Sequence, residues 1–219
     1  MSNQQLLMDL PVRTAHGRDS FFVSPSNELA LRQIEAWENW AGSKLILIGP
    51  ESSGKSHLAA VWAELTGATV LNASDLGQET EGHVIVEDVE KIAGQADLEE
   101  ALFHLHNRVL SEGASLLLTA NETPEHWGIA LPDLASRLKS ADIARLGSPD
   151  DALLTAVLVK LFDDRQLNVG PDVITYLTTR IDRSLGGAER MVAKLDEASM
   201  RERKPISVKF AGRILKVRD

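Results

Sequence analysis

Gly49-Pro50-Glu51-Ser52-Ser53-Gly54-Lys55-Ser56 decides how the rest of this 219-residue chain is read. The octet fits the pattern G-x-x-x-x-G-K-[ST] in full, and its chemistry is phosphate capture. The loop must fold back so that successive backbone N–H groups point at one phosphate, and glycine permits that backbone. A helix beginning after the loop adds the positive end of its dipole. Lys55 can reach the β and γ oxygens, and Ser56 can ligate Mg²⁺. The flanks agree. Lys44 to Ile48 is an apolar run suited to a buried strand, and Lys55 to Leu65 carries a helical pattern that closes at Gly67. ADP or ATP, with Mg²⁺, is the expected cofactor.

Further out, strands and helices alternate. Ala68 to Leu71, Val84 to Val86, Ser115 to Thr119 and the region of Ile143 read as strands. Asn27 to Trp40, Leu98 to Leu110 and Leu134 to Leu138 read as helices, the first with Ser26 or Asn27 to cap it. Such alternation implies an α/β fold with a parallel sheet covered by helices on both faces. After Pro149 the pattern turns wholly helical: Asp150 to Phe162, Asp172 to Arg180 with Pro171 at its start, Gly187 to Met200, and a last helix after Ser207. The expected organisation is a mobile arm over 1–19, a nucleotide-binding domain over 20–147 and a small all-α domain over 148–219.

Bulk properties exclude several classes. Lys plus Arg is 23 and Asp plus Glu is 32, a net charge of −9. A chain this acidic lacks the electrostatic footprint of a whole-chain DNA binder, so contact with nucleic acid is expected only through a partner. Cysteine is absent, which rules out disulfides, thiolate nucleophiles and cysteine-ligated zinc. No apolar run approaches the roughly 18 residues of a membrane span, and the first ten residues do not read as a signal peptide. A cytoplasmic location is expected.

A nucleotide-hydrolysing site of this class needs a carboxylate at the end of a neighbouring strand. Val84-Ile85-Val86-Glu87-Asp88 supplies two, so Glu87 and Asp88 join Ser56 as candidate metal residues. Their order is unusual. Glu87 is a methylene longer than the usual aspartate at the metal. Asp88 is shorter than the glutamate that commonly polarises water, and the alternative register leaves Val89 in that role. Both registers predict weak hydrolysis or none. Asn121, at the end of Ser115-Leu116-Leu117-Leu118-Thr119-Ala120, stands where a γ-phosphate sensor would sit; a plain strand exit explains it equally well. His104 and His106 are two apart on a helix and point to different faces, which does not suit a metal.

Taken together, several segments resemble one family. The chain is similar to the AAA+ core of the bacterial replication initiator DnaA and, more closely, to the Hda family of short DnaA paralogues. Ser24-Pro25-Ser26-Asn27-Glu28-Leu29-Ala30 resembles the S-N-x-L-A segment near the adenine, which implies a nucleotide contact at Asn27. Gly54-Lys55-Ser56-His57-Leu58 resembles the family's G-K-[ST]-H-L and adds His57. Thr119 to Pro124 resembles its first sensor. Leu131-Pro132-Asp133-Leu134-Ala135-Ser136-Arg137-Leu138 resembles the L-x-D-L-x-S-R-L box, implying that Arg137 is an arginine finger acting in trans. Gln5-Leu6-Leu7-Met8-Asp9-Leu10 resembles the family's sliding-clamp peptide, with Gln5 at the rim of a groove and Leu6, Met8 and Leu10 inserted. The pattern breaks at the second sensor, where Gly186 replaces an arginine; Arg190 or Arg183 are the candidate substitutes.

The resemblance implies an AAA+ domain with a helical lid and a negative regulator of replication initiation. Such a protein binds the DNA polymerase III sliding clamp and stimulates ATP hydrolysis on DnaA. It holds ADP itself, reaches the nucleoid only through the clamp, and assembles at least transiently, as a homo-oligomer or with DnaA. Two other readings remain open at this level: an intrinsic ATPase resembling a helicase loader, and an interaction module in which nucleotide is only structural.

Overall fold

Ile46 sits at the middle of β1 (Lys44–Ile48), and all five residues of that strand are buried. The computed structural model describes residues 21–216. Among them, β1 is joined by β2 (Thr69–Asn72), β3 (Val84–Glu87), β4 (Leu116–Ala120) and β5 (Asp142–Arg145) in one parallel sheet of order β2-β3-β4-β1-β5. The central strands are apolar throughout because both faces are covered. Ile46, Ile48, Val84, Val86, Leu116 and Leu118 face α3 (Ala96–Ser111) and α4 (Pro132–Lys139) through Leu102, Leu105, Val109, Leu134 and Leu138. Leu45, Leu47, Ile85 and Leu117 face the opposite layer, α1 (Glu28–Glu35) and α2 (Lys55–Thr66), meeting Leu31, Ile34, Leu58, Val61 and Trp62. This is period-two alternation with two apolar sides.

The helix expected over Asn27 to Trp40 is shorter. α1 stops at Glu35, and Trp37–Asn39 is a separate 3₁₀ turn. The break lets the Trp37 ring meet Trp62 and His83 edge-on at 6.4 and 4.9 Å, while Trp40 stacks on Trp62 at 5.0 Å. Aromatic packing overrides helical periodicity here. α2 closes at Gly67, whose φ is +71°.

The chain divides between Gly147 and Ser148, with Pro25–Gly147 in one compact unit and the residues from Ser148 onward in another. The second unit contains α5 (Asp151–Asp164), α6 (Pro171–Thr178), α7 (Leu185–Glu202) and α8 (Val208–Lys216) around Leu158, Phe162, Leu177, Val192, Leu195 and Phe210. Asp150 caps α5 by accepting from Leu153 N at 2.8 Å. α7 begins two residues earlier than its apolar pattern suggests, because Ser184 Oγ accepts from Gly187 N at 3.0 Å. Gly187 is needed there: a Cβ would lie 2.9 Å from that hydroxyl and 3.0 Å from Asp182 O. No described helix is long and apolar enough to cross a membrane.

Candidate functional site

β1 delivers Gly49 to the carboxyl edge of the sheet, between two neighbours. Gly49 N donates to Ala120 O at 3.2 Å, and Leu146 N donates to Ile48 O at 2.8 Å. The octet then turns back on itself. Ser53 N donates to Pro50 O at 3.2 Å, and Ser52 and Gly54 have φ of +56° and +103°. The two glycines act for different reasons. Gly54 supplies a left-handed backbone, whereas Gly49 supplies room: a Cβ there would lie 2.8 Å from Leu146 O. α2 starts at Lys55 behind Gly54 with no side-chain cap, so its first N–H groups face the loop's hollow.

Lys55 is 8% exposed and fully engaged. Its ammonium donates to Gly49 O (2.9 Å), Pro50 O (3.1 Å) and Asn121 Oδ1 (2.9 Å). Burial lowers its pKa, and the carboxylates of Glu90, Asp88, Glu51 and Glu87 oppose that shift only in part. Ser53 Oγ, inside the loop, is buried and has no hydrogen-bond partner. An orphaned hydroxyl and an uncapped helix start around one buried lysine fit a bound pyrophosphate.

Glu51, Ser56 and His57 are exposed around this cradle. His57 places its ring edge-on to Phe21 at 5.3 Å. Glu87 ends β3, half-buried. Asp88 is held in a left-handed backbone, φ +54°, by its N–H donating to Thr119 Oγ1 at 3.1 Å, and its carboxylate pairs with Lys91 at 2.6 Å. Among the described residues no three His, Cys, Asp or Glu side chains group as a metal site. Ser56, Glu87 and Asp88 stay the candidate residues for a Mg²⁺ ion, which in such a site is held largely by phosphate oxygens and water rather than by a protein cage.

Asn27 stands at the N-cap position of α1, as expected of Ser26 or Asn27, and is buried, although its side chain makes no cap hydrogen bond. Arg137 lies exposed on α4, its guanidinium 5.1 Å from the Phe103 ring centroid, while its carbonyl accepts from Lys44 Nζ at 2.9 Å. In the helical unit Arg190 is exposed on α7 and Gly186 lies in that helix's first turn. Arg183 is exposed and pairs with Asp151 at 2.6 Å. His104 is exposed and His106 buried, on different faces of α3. Gln5, Leu6, Met8 and Leu10 lie outside the described residues.

Two acidic residues were missed by sequence reasoning. Glu90 accepts from Asn121 through both its backbone N–H (2.9 Å) and its Nδ2 (2.6 Å). Glu99 is 1% exposed and accepts from Gly94 N (2.8 Å), Ala130 N (2.9 Å) and Leu131 N (2.8 Å), bracing the loop that leads into α4. Its signal was available: Glu99 occupies the face of α3 otherwise lined by Leu102, Leu105 and Val109. Burial pushes the Glu99 carboxyl up, but the three backbone donors together outweigh it, and its pKa lies below the ordinary 4.5. A lowered folded-state pKa stabilises fully above that ordinary value and is lost as pH falls through the folded value. Wild type is therefore expected to lose more stability than Glu99→Gln on acidification below that range. Glu99→Ala, which orphans three N–H groups, should cost about 3 kcal/mol in urea unfolding at pH 7. Equal acid limbs for wild type and Glu99→Gln would contradict this account.

Residues 151–215 match the family model described as "Hda, lid domain". A relative from Haemophilus influenzae, described only as an uncharacterized protein, is 28% identical over 182 residues, 76% of this chain and 79% of that one. The crystal structure of domain III of the Thermotoga maritima replication initiation protein DnaA superposes with a TM-score of 0.80 at 18% identity, covering 94% of this chain and 98% of that one. AMPPCP-bound DnaA from Aquifex aeolicus gives 0.67 at 18% identity over 87% of this chain and 70% of that one. The Thermotoga maritima RuvB branch migration motor gives 0.68 at 15% identity over 93% and 72%. The fold is AAA+, and residues 151–215 resemble the Hda lid domain.

Proposed function

We propose that this protein, with the AAA+ fold of DnaA domain III and a lid of the Hda family, is a negative regulator of chromosome replication initiation that acts on DnaA. One observation carries the reading. A complete phosphate cradle stands in the same unit as an exposed arginine on a braced helix, and one of the site's two carboxylates, Asp88, pairs with Lys91. That pair lies at the surface, and the order Glu87 then Asp88 departs from the usual aspartate-then-glutamate arrangement. Such a site suits holding ADP rather than turning over ATP.

Lys55, Ser53 and the first N–H groups of α2 bind the pyrophosphate, and Ser56 and Glu87 meet Mg²⁺. Bound nucleotide would stabilise the folded unit by mass action. Arg137 projects from α4, whose entry Glu99 fixes and whose Leu134 and Leu138 are buried. It enters the nucleotide site of DnaA and stabilises charge on the transferring phosphoryl group. The peptide Gln5 to Leu10 tethers the protein to the DNA polymerase III sliding clamp in the cytoplasm. The tether brings the protein to the nucleoid and raises its effective concentration near ATP-bound DnaA.

The test is hydrolysis of ATP on DnaA in the presence of clamp-loaded DNA. Addition of the protein should accelerate turnover, and deletion of residues 5–10 should raise the concentration needed roughly a hundredfold. Absence of acceleration at any concentration ends the reading.

A further inference from the structure

Asn121 is held between a pure donor and a pure acceptor. Lys55 Nζ donates to Asn121 Oδ1 at 2.9 Å, and Asn121 Nδ2 donates to Glu90 Oε1 at 2.6 Å. An ammonium has no acceptor and an ionised carboxylate has no donor, so the amide admits one orientation. Glu90 Oε1 also accepts from the backbone N–H of Asn121 at 2.9 Å, so the carboxylate fixes main chain and side chain together. The residue before it, Ala120, hydrogen-bonds to Gly49 at the head of the phosphate loop. The amide oxygen, not its NH₂ group, therefore faces the lysine that receives the phosphates.

We propose that Glu90 determines which nucleotide this site retains: by turning the Asn121 NH₂ toward itself, it leaves an acceptor facing the third phosphate and so favours a nucleoside diphosphate over the triphosphate. The inference rests on the nucleotide-binding reading above. A γ-phosphate beside Lys55 meets a carbonyl oxygen where a sensor would offer a donor. It also meets the carboxylate behind that amide. Lys55 already feels four carboxylates, Glu90 foremost, then Asp88, Glu51 and Glu87. The additional negative charge of a triphosphate is repelled more strongly by that set. Glu90 Oε2, the oxygen not used by Asn121, has no hydrogen-bond partner among the described residues.

Calorimetric titration with ADP and with AMPPCP, each with Mg²⁺, tests this on the full chain. Wild type should bind ADP more tightly. In Glu90→Ala the amide loses its acceptor and keeps only the Lys55 bond, the carboxylate charge is gone, and the affinity ratio should move toward the triphosphate analogue by about tenfold. Glu90→Gln keeps an acceptor for Asn121 without the charge and should move it less. An unchanged ratio in Glu90→Ala overturns the proposal. So does a Glu90→Ala protein that melts like wild type yet binds neither nucleotide, since Glu90 is then only a support for the loop. If Glu90→Ala does not fold, an unshifted ratio in Glu90→Gln overturns it. Wild type binding neither ligand removes the nucleotide reading itself and this proposal with it.

Discussion

Arg137→Ala is expected to reduce the stimulation of DnaA-bound ATP hydrolysis by about a thousandfold, the scale of an arginine supplied in trans in other nucleotide hydrolases. The loss should be purely functional. Arg137 is exposed on α4, and its guanidinium lies 5.1 Å from the Phe103 ring centroid. A cation–π contact at an exposed site is worth only about 0.5–1 kcal/mol, so the variant should unfold at nearly the wild-type urea concentration. Lys44 bonds the carbonyl of Arg137 rather than its side chain, and Leu134 and Leu138 hold the helix regardless of residue 137. Arg137→Lys should recover little, because an ammonium lacks the planar fork that meets phosphate oxygens in two places. Single-turnover hydrolysis of labelled ATP on DnaA, with clamp-loaded DNA and excess regulator, is the measurement. Equal stimulation by wild type and Arg137→Ala would remove the finger role and leave the interaction-module reading ahead.

Lys55→Ala should weaken ADP binding by about a hundredfold or more, since charge-assisted hydrogen bonds to phosphate each contribute about 1.5–3 kcal/mol. Three acceptors, Gly49 O, Pro50 O and Asn121 Oδ1, lose their common donor, so the loop is expected to relax as well. The clearest readout is the ADP-dependent rise in melting temperature. Ligand at a hundred times its Kd stabilises by about 2.7 kcal/mol, and that increment should vanish in the variant. Full regulatory activity in a Lys55→Ala protein that no longer binds ADP would show that nucleotide is dispensable to function.

Residues differ in how far local pattern revealed them. The phosphate loop was legible because every part of the cradle lies within Gly49 to Ser56, and its backbone needs are written in its own glycines. The order of strands and helices was legible because β1, β3 and β4 are apolar runs between turn signals. The C-terminal end of α1 was not, because Trp37 and Trp40 satisfy helical spacing while packing on Trp62, a partner more than twenty residues away. The Arg183–Asp151 pair joins residues 32 positions apart, which no local pattern signals.

What the amino-acid sequence alone determined is the class of chemistry and the layered α/β scheme, since both depend on contiguous residues and on short-range periodicity. What only the tertiary structure decided is how the site is tuned. Glu90 reaches Asn121 across 31 positions, Asn121 reaches Lys55 across 66, and Glu99 reaches Leu131 across 32. These bonds join helices, strand ends and loops that become neighbours only when the parallel strands and their covering helices pack together. A carboxylate's role there is set by which donors that alignment delivers, and no local spacing rule encodes it.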